Sequence, residues 1–186
     1  LGYIGFQLLT SNFHTSETPV AIVPNAQLAT SSPTPSPSVG VPTPILSVTS
    51  YDPLGDKKEN DGSLGAIFDT ELTNVLTTWT TSTYKTADLG KDGVGVVLDL
   101  GSAKSVSAVE ISFTAAGQAV EIYVGDEAVP DLKSAKKFGE LAQTPALAKI
   151  QGTNDVAGRY VLIWLTSLPA VTDGFASGIA NVQVLL

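Results

Sequence analysis

From residue 94 to the end of the chain, apolar side chains recur at every second position, and this spacing constrains the fold more than any other feature. In VGVVLDL, Val96, Leu98 and Leu100 share one face while Val97 and Asp99 share the other. Val109, Ile111 and Phe113 alternate with Glu110 and Ser112, and Val120, Ile122 and Val124 alternate with Glu121 and Tyr123. Successive side chains of an extended strand point to opposite faces, so each run reads as a strand with one buried face. RYVLIWL, residues 159–165, is almost wholly apolar, as a strand covered on both faces would be. NVQVLL closes the chain with Val182, Val184 and Leu186 on one side. Gly or Asp interrupts each gap, at Gly101, Gly117, Gly125, Gly158 and Gly174 among others. The spacing predicts an all-β, antiparallel sandwich or jelly roll of about eight strands over residues 46–186. Eleven prolines, seventeen glycines and a charged fraction of 15% agree with short strands and turns rather than a helical bundle. Only KSAKKFGELA, residues 133–142, has the composition of a helical turn.

The first 45 residues follow other rules. Residues 1–9, LGYIGFQLL, carry no charge but are too few to cross a bilayer, which takes about 20 apolar residues. Residues 1–10 read as the end of a transmembrane helix. Glu17 is the sole charged side chain before Asp52, and the first lysine is Lys57. Cytoplasmic flanks of membrane helices are rich in Lys and Arg, so this flank reads as external. Residues 11–45 are dominated by Ser, Thr, Pro and Ala, including TSSPTPSPS. Closely spaced prolines block helix and sheet pairing, so a disordered, extended spacer is expected there.

Several chemistries lack their parts. The chain has no cysteine, and its one histidine, His14, precedes the region patterned to fold. Thiolate chemistry is excluded, and the commonest general base is missing from the domain. A net charge of −8 argues against a nucleic-acid partner, because phosphate binding needs clustered Lys and Arg. GKDGVGVV, residues 90–97, lacks the Gly-Lys-Ser/Thr ending of a phosphate loop and leads into a strand, where a phosphate loop leads into a helix. The pairs Asp69 with Glu71 and Asp126 with Glu127 read as solvated loop carboxylates in a chain this acidic. The expectation is a module that is not an enzyme.

A resemblance adds to this. An Asp-led turn at Asp69, Thr77-Thr78-Trp79, a strand ending Asp99-Leu100-Gly101, and a strand bearing Val106, Val109 and Ile111 occur in the order seen in discoidin-like, galactose-binding-like jelly rolls. TTWTTSTYK, GVGVVLDLG, RYVLIWLTSLP and GFASGIANVQV also look like the C-terminal extracytoplasmic domain of actinobacterial lipid II flippase-like (MviN-type) proteins. The resemblance implies a discoidin-like domain on the outer face of the cell membrane, tethered through an N-terminal helix and involved in peptidoglycan biosynthesis. It implies recognition of a cell-wall glycan or peptidoglycan precursor. The alternative is a structural or protein-interaction domain that docks on other envelope proteins.

Many relatives carry a structural calcium at the Asp-led turn. That turn is usually Asp-Gly-Asp and nearer the Trp; here it reads Asp69-Thr70-Glu71. The sequence calls for no other cofactor, and Asp69 and Thr77 are the candidate metal ligands, since Ca²⁺ takes hard oxygen donors. Jelly-roll modules bind through their loop ends, so the candidate ligand residues are Tyr51, Asp52, Tyr84, Lys85, Asp173 and Phe175. Trp79 and Trp164 read as core.

Overall fold

A computed structural model describes residues 40–68 and 78–186. Asp69, Thr77, the apolar start and nearly all of the Pro-rich spacer lie outside the described residues. The expected β architecture is observed. In chain order the strands are β1 (Pro42–Thr43), β2 (Ser47–Tyr51), β3 (Trp79–Thr80), β4 (Val94–Phe113), β5 (Ala119–Gly125) and β6 (Lys137–Leu141). There follow β7 (Leu147–Ser167), β8 (Ala170–Val171), β9 (Gly174–Phe175) and β10 (Gly178–Leu185). Eight of these form one hydrogen-bonded system ordered β1-β10-β4-β7-β5-β6, with β2 on β4 and β3 on β10, while β8 and β9 make a separate hairpin. All described pairings are antiparallel.

The strands β4 and β7 give the molecule its two layers. β4 has 20 residues and β7 has 21; at about 3.3 Å per residue either one, kept straight, would run roughly 65 Å. Instead Val94, Val96 and Leu98 from the first half of β4 enter the same core as Val109, Ile111 and Phe113 from its second half. The strand therefore doubles over. Its register against β7 slips between Asp99 and Lys104 and again between Val106 and Ala108. Gly101 sits in the first slip with φ 78°, a left-handed backbone that a side chain resists, and a Cβ there would lie 2.4 Å from Leu46. The first half of β4 pairs with β2 and the C-terminal half of β7; the second half pairs with β10 and the N-terminal half of β7.

The alternation in the sequence maps onto this sandwich. Val120, Ile122 and Val124 of β5 and Val182 and Val184 of β10 join the central core, together with Trp79, which is fully buried. RYVLIWL is covered on both faces, as expected. Val161, Ile163 and Leu165 fill the central core, while Leu162 and Trp164 belong to a second apolar patch with Tyr51, Val97 and Tyr123.

Three expectations are corrected, and one element was not foreseen. The two strands expected on either side of Gly101 are one bent strand, because the glycine makes a bulge and not a turn. Residues 133–142 form no helix over their second half: Phe138 is buried against Gly152, and β6 pairs with β5. A 3-10 helix at Asp61–Phe68 was not read from the sequence. Ordered pairing also begins ahead of residue 46. Val41 and Leu186 exchange backbone hydrogen bonds of 3.3 and 3.0 Å, and Pro42 and Thr43 pair with Leu185 and Val184.

This last contact predicts a difference between two truncations. A chain beginning at Ser38 should keep the melting temperature of the full chain. One beginning at Ile45 loses β1 and its hydrogen bonds, worth about 1–2 kcal/mol net, and should melt about 2–8 °C lower in a calorimetric scan. Equal melting temperatures would show that β1 contributes nothing.

Candidate functional site

Because β4 and β7 double over, the loops before β4, after β7 and before β10 all open at one end of the sandwich. The chain enters at Gly40, beside Leu185, at the far end of β10. The loop between β3 and β4 meets the β8–β9 hairpin through a two-way backbone bridge: Tyr84 N–H donates to Phe175 O at 2.8 Å and Phe175 N–H to Tyr84 O at 2.9 Å. Leu168 N–H donates to Ala87 O at 2.8 Å and closes a second tie. Gly174 makes the bridge feasible. Its φ is 147°, and a Cβ would stand 2.4 Å from Tyr84 O.

A buried glutamate fixes the loop from below. Glu59, 2% exposed, accepts the Trp79 indole N–H on its backbone carbonyl at 2.7 Å. Its carboxylate accepts the Ser82 N–H on one oxygen and the Tyr84 hydroxyl on the other at 2.8 Å. The same residue thus ties the core tryptophan, through its backbone, to the surface loop, through its side chain. Beside it, Lys91 Nζ lies 2.7 Å from Asp52 Oδ1 and 5.0 Å from the centroid of the Tyr84 ring. Asp52 is nearly fully buried, so this pair works at reduced dielectric, and removing either partner would leave an uncompensated charge. Burial raises the Tyr84 hydroxyl well above the usual phenol range, and its bond to the Glu59 carboxylate raises it further.

Of the six residues expected to contact ligand, four gather here. Tyr84 and Phe175 are half-buried against the core edge, and Lys85 and Asp173 are exposed on the two bridged segments. Asp52 is present but buried, holding Lys91. Tyr51 is elsewhere: it packs edge-on against Trp164 at 5.3 Å, on the outer side of the β2-β4-β7-β5 layer, and its hydroxyl donates to Pro130 O. Tyr51 is sequestered because Leu132 and Ala135 of the 126–136 segment pack over it, and Asp52 because it pairs with Lys91. Glu59 and Lys91 were not foreseen, since nothing in KKEND or GKDG separates a buried charge from a solvated one. Among the described residues no group of three His, Asp or Glu side chains could hold a metal ion, and the two candidate calcium ligands fall outside them. With both Glu59 oxygens engaged and Tyr84 held as a neutral donor, the cluster is a rigid base for a surface of one aromatic ring, one cation and one carboxylate.

No protein-family model matches the sequence, and no curated protein does. Solved structures share the fold. The chain is similar to the CBM32 of AlyQ, solved with 4,5-unsaturated mannuronic acid, at 22% identity and a TM-score of 0.54, over 78% of this chain and 98% of that one. It is similar to a chitosan-binding module of a chitosanase/glucanase from Paenibacillus sp. IK-5 at 15% identity and a TM-score of 0.57, over 79% and 98%. A pectin-binding carbohydrate-binding module matches at 17% identity and a TM-score of 0.52, over 76% and 91%. The chain spans 34% of a truncated AlyQ with CBM32 and alginate lyase domains. At these identities the likeness establishes the discoidin-like sandwich that the sequence suggested.

The tyrosines provide a pH test of the loop base. Tyr51 is raised chiefly by burial, and Tyr123 is pushed up to about 12 by burial and then by its bond to Glu121. With Tyr84 they bind their protons more tightly folded than unfolded, so their contribution is full below pH 10 and is lost as pH rises through the folded values. Ultraviolet titration should show these three resisting ionisation at pH 10, and stability should fall above it. The fall should shrink in Tyr84→Phe. Ionisation of every tyrosine near pH 10 would contradict the Glu59 contact.

Proposed function

We propose that this chain is a non-catalytic, extracytoplasmic glycan-binding module, presented outward from the membrane of a lipid II flippase-like protein and recognising a cell-wall glycan or peptidoglycan precursor. One observation carries the reading: two separate segments, locked together by the Tyr84–Phe175 bridge, bring Phe175, Lys85 and Asp173 to the end of the sandwich opposite Gly40. An aromatic surface flanked by a cation and a carboxylate suits a sugar ring, whose C–H face stacks on the aromatic while its hydroxyls take the polar groups. The shared sandwich with modules described as binding chitosan, pectin and an unsaturated mannuronic acid supports a saccharide ligand. A rigid base matters because a preformed site avoids the ordering cost that weakens binding. The membrane tether rests on the uncharged start and the Pro-rich spacer, and the flippase-like context on the sequence resemblance.

The test is titration of the ¹⁵N-labelled chain with soluble peptidoglycan fragments and chito-oligosaccharides. Amide shifts should cluster at residues 83–85 and 172–176. Phe175→Ala should weaken binding at least about tenfold, since an aromatic contact with its burial is worth about 1.5 kcal/mol or more. If no glycan moves those amides while an envelope protein does, the domain is a docking module instead.

A further inference from the structure

A second cavity lies away from the loop end. Between β5 and β6 the chain does not turn tightly. Residues 126–136 cross the outer face of the β2-β4-β7-β5 layer as a strap. The strap is pinned where Tyr51 donates to Pro130 O and where Leu132 and Ala135 pack on the Tyr51–Trp164 patch. A short turn stiffens it, with Ser134 and Ala135 N–H donating to Asp131 O at 3.0 and 2.8 Å. Between strap and sheet is an open cavity of about 790 Å³. That size falls within the range of built ligand sites, roughly 300–1,000 Å³.

The floor is apolar and aromatic: Val97, Leu162, Tyr123 and Tyr160. Tyr123 is 8% exposed and donates to Glu121 at 2.7 Å, so it is fixed. Tyr160 is half-buried, with the Arg159 guanidinium 5.0 Å from its ring centroid. Arg159 is itself anchored to Asp99 by two bonds of 2.8 Å.

The rim carries hydrogen-bonding capacity that the fold leaves largely unused. Asp126 accepts one backbone N–H, from Arg159 at 3.2 Å, Asp131 serves its own turn, and Glu127 has no partner among the described residues. Lys137 adds little positive field, because its ammonium sits 2.6 Å from both Glu121 and Glu140, and the exposed Lys136 is one cation against the three rim carboxylates Asp126, Glu127 and Asp131. The rim is therefore acceptor-rich and net acidic.

We propose that this cavity is a second saccharide site, taking a short oligosaccharide without carboxylates, neutral or amine-bearing. The choice of a sugar rests on the glycan reading above; the place does not. Hydroxyls and ammonium groups donate to the rim carboxylates, and C–H faces lie on the tyrosine floor. Uronate chains meet like charge at short range and are turned away.

Three oligomers test this on the labelled full chain: N-acetylglucosamine, glucosamine and galacturonate. The first two should move amides at residues 124–131 and 156–162, and Tyr160→Ala should weaken that effect at least tenfold while Phe175→Ala leaves it unchanged. Galacturonate should leave these amides still, and Glu127→Lys should let it move them. The proposal is overturned if no sugar shifts these amides at millimolar concentration. It is equally overturned if galacturonate binds there best, or if only a tetralysine peptide does. Loss of shifts at 83–85 and 172–176 alone would count against the loop-end reading and not against this one.

Discussion

The bend in β4 and β7 is the constraint on which the rest of the structure depends. Two strands of this length cannot lie flat in a domain of about 150 residues, whose radius of gyration is near 15 Å. Doubled over, they supply inward-facing residues to both layers of one core, and β2, β5 and β10 pair directly with one of them. The bend also decides the polarity of the molecule. It sends the loops before β4 and after β7 to one end and leaves Gly40 and the C-terminus at the other. A side chain at Gly101 would strike Leu46 and resist the left-handed backbone, so this one position helps to hold the layers in register.

The loop end inherits its order from the core through Glu59. A buried carboxylate is costly unless hydrogen-bonded; this one is satisfied by a loop amide and a phenol, while its own backbone holds the core tryptophan. The Lys91–Asp52 pair beside it is tolerable for the same reason, since each charge has its partner at 2.7 Å. Rigidity at the surface is thus a consequence of polar groups satisfied underneath. A preformed loop surface and a strap-covered cavity on the sheet are two ways in which a small sandwich presents aromatic rings to solvent.

Much of this was legible beforehand. Period-2 runs placed Val96, Leu98, Val109, Ile111, Val120 and Ile122 on inward faces, and the continuous run at 159–165 marked the strand covered on both sides. Tyr84, Lys85, Asp173 and Phe175 were read as loop residues, and the fold brings them together. What stayed hidden depends on pairings distant in the chain. Gly101 reads as a turn locally, and only register with β7 makes it a bulge. Tyr51 reads as a loop aromatic at the end of an alternating strand, and only the strap from 126–136 buries it. Lys137 and Phe138 sit in a stretch with helical composition, overridden when Phe138 fills the gap above Gly152. The outward Tyr123 was visible in the alternation, but its place under a strap was not.

The account stands or falls on whether a sugar sits against Phe175. Intermolecular nuclear Overhauser effects between an unlabelled cell-wall oligosaccharide and a chain carrying ¹³C-labelled phenylalanine rings would show this directly. The account predicts contacts from sugar ring protons to the Phe175 ring, lost in Phe175→Leu. Binding with no such contacts, or with sugar protons touching only the outer strands, would contradict it.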